Sequence, residues 1–151
     1  MLEKIILKII GLNGLMLLKS KFPSKQEKDL FLKRRNFYKQ FLSKGSVYFD
    51  VGANFGNRIE PIIDLGIKVI AIEPQEECKK YLKKKFGNRI TLIPFGLSSK
   101  EGEQTMFISN AHTISSFSKD WIDLTKESGR FSEYEWNKEK IIPMTTLDNL
   151  I

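Results

Sequence analysis

Two carboxylates and two glycines carry most of the chemistry this sequence offers. Val47, Tyr48 and Phe49 form a short run of β-formers that stops on Asp50. Gly52 and Gly56 follow, four positions apart, and an amphipathic helical pattern begins after them. That order describes a buried strand, a turn whose backbone a ligand approaches closely, and a helix N-terminus aimed at the same place. A second run, Lys68-Val69-Ile70-Ala71-Ile72, ends on another acid, Glu73, at a separation that suits a βαβ unit gripping a ribose. The two segments together point to a nucleoside cofactor. The glycine spacing narrows the choice: a dinucleotide site asks for G-x-G-x-x-G, and a P-loop for a Gly-Lys-Ser/Thr ending; neither is present. Asp50, two positions before Gly52, would serve a pyrophosphate poorly and a cationic or amino-bearing ligand well.

The elements that must hold these residues follow from pattern and punctuation. Ser24 with Glu27 three residues later predicts a capping box, and Leu30, Phe31, Phe37, Tyr38, Phe41 and Leu42 an apolar stripe on a helix closed by Lys44-Gly45. Ile59, Ile62 and Ile63 predict a short helix after the glycine turn, ended by Gly66. Pro74 opens the next helix, with Glu76 and Glu77 in its first turn, where the dipole favours anions. Cys78, Tyr81, Leu82 and Phe86 mark its buried face, and Gly87 closes it. A strand at 90–93 completes β-α-β-α-β and implies parallel strands. Beyond it, 104–109 and 140–144 read as strands and 118–128 as a helix within a long excursion over 110–138. Thr145-Thr146 begins a further helix close to the last residue. That late start suggests a truncated sequence.

The 151 residues suffice for a core, with 41% hydrophobic content. A single cysteine, Cys78, rules out an internal disulfide, and with one histidine, His112, no Cys/His metal cluster is expected. A reducing, cytoplasmic setting follows most simply. Net charge is +7, and its placement is uneven: residues 1–49 hold 11 Lys/Arg against 3 Asp/Glu, residues 50–151 hold 14 against 15. The basic arm is either a solvated helical face or a surface for an anionic partner. Leu2, Ile5, Ile6, Ile9 and Ile10 recur at helical spacing and predict an amphipathic helix that docks on the core or lies on a membrane. Glu3, Lys4, Lys8 and Asn13 argue against a transmembrane span, and Gly11 and Gly14 against a signal peptide.

Asp50-Val51-Gly52-Ala53-Asn54-Phe55-Gly56 resembles motif I of the FkbM family, a class I S-adenosylmethionine-dependent methyltransferase family. The likeness continues in Val69-Ile70-Ala71-Ile72-Glu73-Pro74, in Leu97-Ser98-Ser99-Lys100-Glu101-Gly102 and in Thr145-Thr146-Leu147-Asp148-Asn149-Leu150. It covers 47–151 and leaves residues 1–45 as a basic helical extension. The resemblance implies an α/β fold: a Rossmann-like class I methyltransferase sheet, mostly parallel, over 46–151. In the family a strand ending Lys-Ile-Asp-Val-Glu-Gly follows the Thr-Leu-Asp segment. It is absent here, so the sheet is expected to be incomplete at its C-terminal side.

The same resemblance implies S-adenosyl-L-methionine as cofactor and O-methylation of a small molecule or sugar hydroxyl. Asp50 would anchor the turn and hold the methionine ammonium; Gly52, Ala53 and Gly56 would let the backbone approach the ligand. Asn54 and Asn57 would either donate amides to the methionine carboxylate or cap the following helix. Glu73 would accept the ribose hydroxyls, while Pro74 and Phe95 would border the adenine, with Phe95 equally readable as core. His112, beside Thr113, Ser115 and Ser116, is a general base or a structural side chain. Trp121, Phe131, Tyr134 and Trp136 either line a substrate pocket or seal a loop. An NAD-type oxidoreductase lacks its glycine fingerprint. A non-catalytic module contacting a membrane through residues 1–45 is the other alternative, and no nucleic-acid-reading motif is present.

Overall fold

The computed structural model describes residues 2–151; Met1 and the side chains of residues 2–10 and of Leu12 lie outside the described residues. The stripe formed by Leu2, Ile5, Ile6, Ile9 and Ile10 therefore also lies outside them. Two compact units form, one ending at Pro94 and one spanning Phe95–Ile151.

The first unit begins with α1 (Leu2–Lys21), broken by a non-helical Gly11 at φ 68°, and α2 (Lys25–Tyr38). The capping box forms: Ser24 Oγ accepts from the Glu27 amide at 3.3 Å, and the Glu27 carboxylate accepts from the Ser24 amide at 2.7 Å. The helix stops at Tyr38, short of the expected Lys44-Gly45, because the Gln40 and Phe41 amides turn to carbonyls three residues back. Strands β1 (Val47–Val51), β2 (Lys68–Ile72) and β3 (Ile90–Ile93) pair in parallel in the order β1-β2-β3. The central β2 buries Val69, Ile70, Ala71 and Ile72 alike, as a strand covered on both faces must.

The short helix expected after the glycine turn is not there. Residues 57–64 are a run of turns, and Pro61 explains it: a proline offers no amide to the carbonyl four residues back, and its ring crowds that turn. The Asn57 carbonyl, which loses that donor, and the Pro61 carbonyl both take side-chain donors from α2. Arg34 Nη1 donates to Asn57 O at 3.1 Å, and Arg35 Nη1 to Pro61 O at 2.7 Å. Ile59 and Ile62 remain fully buried and pack with Val69, Ala71, Leu82 and Phe86. Helix α3 (Glu76–Phe86) has Gln75 as its N-cap residue and buries Cys78, Tyr81, Leu82 and Phe86 as expected.

The second unit is a three-stranded sheet in the order β4-β6-β5, with β4 (Gly96–Leu97), β5 (Gly102–Ser109) and β6 (Trp136–Thr145). β5 and β6 pair antiparallel, β4 and β6 parallel. Met106, Ile142 and Met144 form its core. Strand β6 starts at Trp136, earlier than the expected residue 140. Trp136 Nε1 donates to Ile114 O at 2.8 Å, and its ring meets Trp121 of α4 (Lys119–Glu127) edge to face at 6.2 Å. Those tryptophans thus clasp the loop between β5 and α4. The helix expected after Thr145-Thr146 is one tight turn, Asp148–Leu150, with Thr146 Oγ1 accepting from the Asn149 amide.

Candidate functional site

Asp50 sits in β1 opposite Ala71, and Glu73 follows directly after β2, so parallel pairing brings both acids to the carboxyl ends of neighbouring strands. Both are buried, Asp50 with 3% of its surface exposed and Glu73 with 1%. Their hydrogen bonding differs. Glu73 Oε2 accepts from the Asn54 amide and Oε1 from the Gln75 amide, each at 2.8 Å. It therefore ties the glycine turn to the start of α3. Asp50 has a long ion pair, Oδ1 to Arg58 Nη1 at 4.0 Å, and its buried Oδ2 has no hydrogen-bond partner among the described residues. The Tyr48 hydroxyl, two residues earlier on the same face, gives its proton to Tyr38 Oη 3.2 Å away. Burial raises the Asp50 pKa, and Arg58 and then Tyr48 offset part of that. Burial also raises Glu73, against the pull of the Gln75 and Asn54 amides.

The two glycines differ as well. The Gly52 and Ala53 amides both donate to Ile72 O, at 2.9 and 3.1 Å, which folds the turn back onto β2. Gly52 is exposed at φ 71°, and a Cβ placed on it would meet nothing within 4 Å. Gly56 is buried at φ 73°, and a Cβ there would lie 2.5 Å from the Phe86 ring. Only Gly52 therefore presents open backbone; Gly56 is small because α3 lies against it. Asn54, between them, has φ 48° and turns Oδ1 to the Phe55 amide at 2.8 Å.

Asn57 is exposed and lines, with Glu60, Tyr81, Lys85 and residues of α1 and α2, a cavity of about 710 Å³. Asp50, Gly52, Asn54 and Glu73 do not line it. Pro74 is buried, and Phe95, 38% exposed, opens the second unit. His112 lies in a one-turn helix of that second unit. Arg58, Tyr48 and the Arg34–Arg35 pair were not anticipated. Pro61 was the available signal for Arg34, since it leaves the Asn57 carbonyl without an amide donor.

A family model described as the methyltransferase FkbM domain matches residues 50–151, beginning at the orphaned Asp50. The chain belongs to the FkbM methyltransferase family. The family's cofactor is S-adenosyl-L-methionine. No curated protein matches the chain. Among solved structures, the chain is similar to the glycopeptide N-methyltransferase MtfA complexed with sinefungin, at 24% identity and TM-score 0.36. The match covers 42% of this chain and 28% of MtfA. It is also similar to YjhP from E. coli, at 13% identity and TM-score 0.38, over 55% of this chain and 38% of that one. The chain thus spans well under half the length of these proteins.

The corner fits the cofactor's methionine end. An unpartnered buried carboxylate oxygen lies in the strand that leads into an open glycine turn, which is where an ammonium would find its acceptor. Among the described residues no group of three His, Cys, Asp or Glu side chains could hold a metal ion, and no helix is long and apolar enough to cross a membrane.

Proposed function

We propose that this chain carries the S-adenosyl-L-methionine corner of a methyltransferase whose acceptor is a hydroxyl of a small molecule or sugar. When bound, S-adenosyl-L-methionine supplies a methyl group already activated on a sulfonium, so transfer asks mainly for positioning and exclusion of water. Asp50 accepts the cofactor's ammonium protons, Gly52 gives it room, and Asn54 offers side-chain amide hydrogens. Glu73 acts mainly as the clamp that sets the turn; any ribose contact uses lone pairs the two amides leave over.

The observation that supports this reading most is the unpartnered Asp50 Oδ2, a buried acceptor waiting for a donor that the chain itself does not provide. A pyrophosphate ligand would bring negative charge to that same oxygen, which counts against the NAD-type alternative. The hydroxyl acceptor rests on the family resemblance. Incubating the 151-residue chain with labelled S-adenosyl-L-methionine and a panel of sugars and hydroxylated small molecules tests it. Methyl groups located on oxygen by NMR are expected; label found on nitrogen would overturn the choice of acceptor.

A further inference from the structure

Apart from Tyr38 at its end, helix α2 is attached to its unit chiefly by charge and hydrogen bonds. None of its residues is buried. Its contacts are those of Arg34 and Arg35 with the carbonyls of Asn57 and Pro61, a bidentate pair from Arg35 to Asp64 at 2.7 and 3.3 Å, and, at its last residue, the half-buried Tyr38 ring against Tyr48. Yet large apolar side chains stand in solvent along it. Leu30 is 44% exposed and Phe37 55%, and their spacing of seven puts them on one flank; Phe41, in the turn just after the helix, is 69% exposed. The Phe37 and Phe41 rings touch, with centroids 5.3 Å apart. Phe22, just before the helix, is 79% exposed. Single exposed apolar residues are ordinary, but four on and beside one short helix that buries nothing call for a partner.

The charge identifies the kind of partner. Lys21, Lys25, Lys28, Lys33 and Lys39 are all exposed on and beside α2, within the N-terminal third that carries 11 Lys/Arg against 3 Asp/Glu. A second copy of the chain would set that excess against itself. A nucleic acid would meet the lysines but gain little from Leu30 or from two phenyl rings packed on one another. An anionic bilayer satisfies both halves: rings and aliphatic side chains enter the headgroup boundary while lysines meet lipid phosphates.

We propose that α2 and its flanks form an interfacial surface that binds anionic membrane, with Phe22, Leu30, Phe37 and Phe41 as the inserting side chains. This surface is independent of the Asp50 corner.

Flotation of the full chain with vesicles of phosphatidylcholine alone, or of phosphatidylcholine mixed with phosphatidylglycerol, tests it. Binding to the anionic vesicles, little to the neutral ones, and weakening with added salt are expected. The double variant Phe37→Ser/Phe41→Ser should lower partitioning by about tenfold or more, with an unchanged far-ultraviolet circular dichroism spectrum. If that variant loses helix, Lys25→Gln/Lys33→Gln/Lys39→Gln gives the same test through charge. Absence of anionic-vesicle binding, or equal binding by folded variants, would overturn the proposal. So would a wild-type dimer in sedimentation that the Phe variant abolishes, or binding to single-stranded RNA in place of vesicles.

Discussion

The carboxyl ends of β1 and β2 each carry a buried acid, and the two acids are in opposite states. Glu73 is tied down: both oxygens take backbone amides, one from the turn and one from the start of α3. Asp50 is unsaturated, with one oxygen at long range from Arg58 and the other without a partner. The glycines repeat the contrast. Gly56 is filled around by Phe86 and Leu82, while Gly52 faces open space. Completed interactions mark the residues that build the corner, and the incomplete ones are those proposed above to meet the ligand. A motif read as one functional string therefore divides into scaffold and contact.

Substitution can separate the two halves, and the largest effect is expected at the clamp. Glu73→Ala leaves the Asn54 and Gln75 amides without their acceptor and should cost about 4 kcal/mol, read as a marked fall in the denaturant midpoint. Equal loss on Asp50→Ala would erase the distinction. Next, Gly56→Ala combines left-handed strain with a clash on Phe86 and should cost about 3 kcal/mol, whereas Gly52→Ala carries the strain alone, about 1 kcal/mol. Similar melting temperatures for the two would show that Gly56 is not packing-limited.

Asp50→Asn should stabilise the ligand-free chain. Burial raises the folded-state pKa of Asp50 above its unfolded value, so the folded chain holds the proton to higher pH. Stability is greatest while that proton is bound and declines as pH rises through the raised value. The gain from Asp50→Asn is accordingly small in acid and reaches about 1 kcal/mol at neutral pH, measured as the difference in unfolding free energy across a pH series. Asp64 has the opposite sign. Hydrogen bonding from Arg35 holds its pKa below the usual carboxylate range, so its contribution is present above the unfolded pKa and lost as pH falls through the folded one. Because the pair is exposed, Asp64→Asn should cost only a few tenths of a kcal/mol at neutral pH and nothing in strong acid.

Much of the frame was legible. The parallel strands showed as apolar runs ending in acids, and the capping box of α2 and the buried face of α3 showed as spacing. What was hidden depends on contacts across the chain. Ile59, Ile62 and Ile63 keep a helical period, and the period is used for burial, but Pro61 prevents the helix. Glu73 and Asp50 look alike in sequence, and only the path of the turn decides that amides reach one and miss the other. Trp136 belongs to a strand because β5 runs alongside it, a pairing its own polar neighbours Asn137, Lys138 and Glu139 conceal. Gly56 carries the same letter as Gly52, and the difference lies in Phe86, thirty positions away.

Calorimetric titration of S-adenosylhomocysteine into the wild-type chain and into Asp50→Asn, with thermal melts of both, tests the central claim most directly. Binding weakened about tenfold or more in a variant that melts no lower than wild type is the expected result. Unchanged affinity in Asp50→Asn would contradict the assignment of the open carboxylate as the ligand contact.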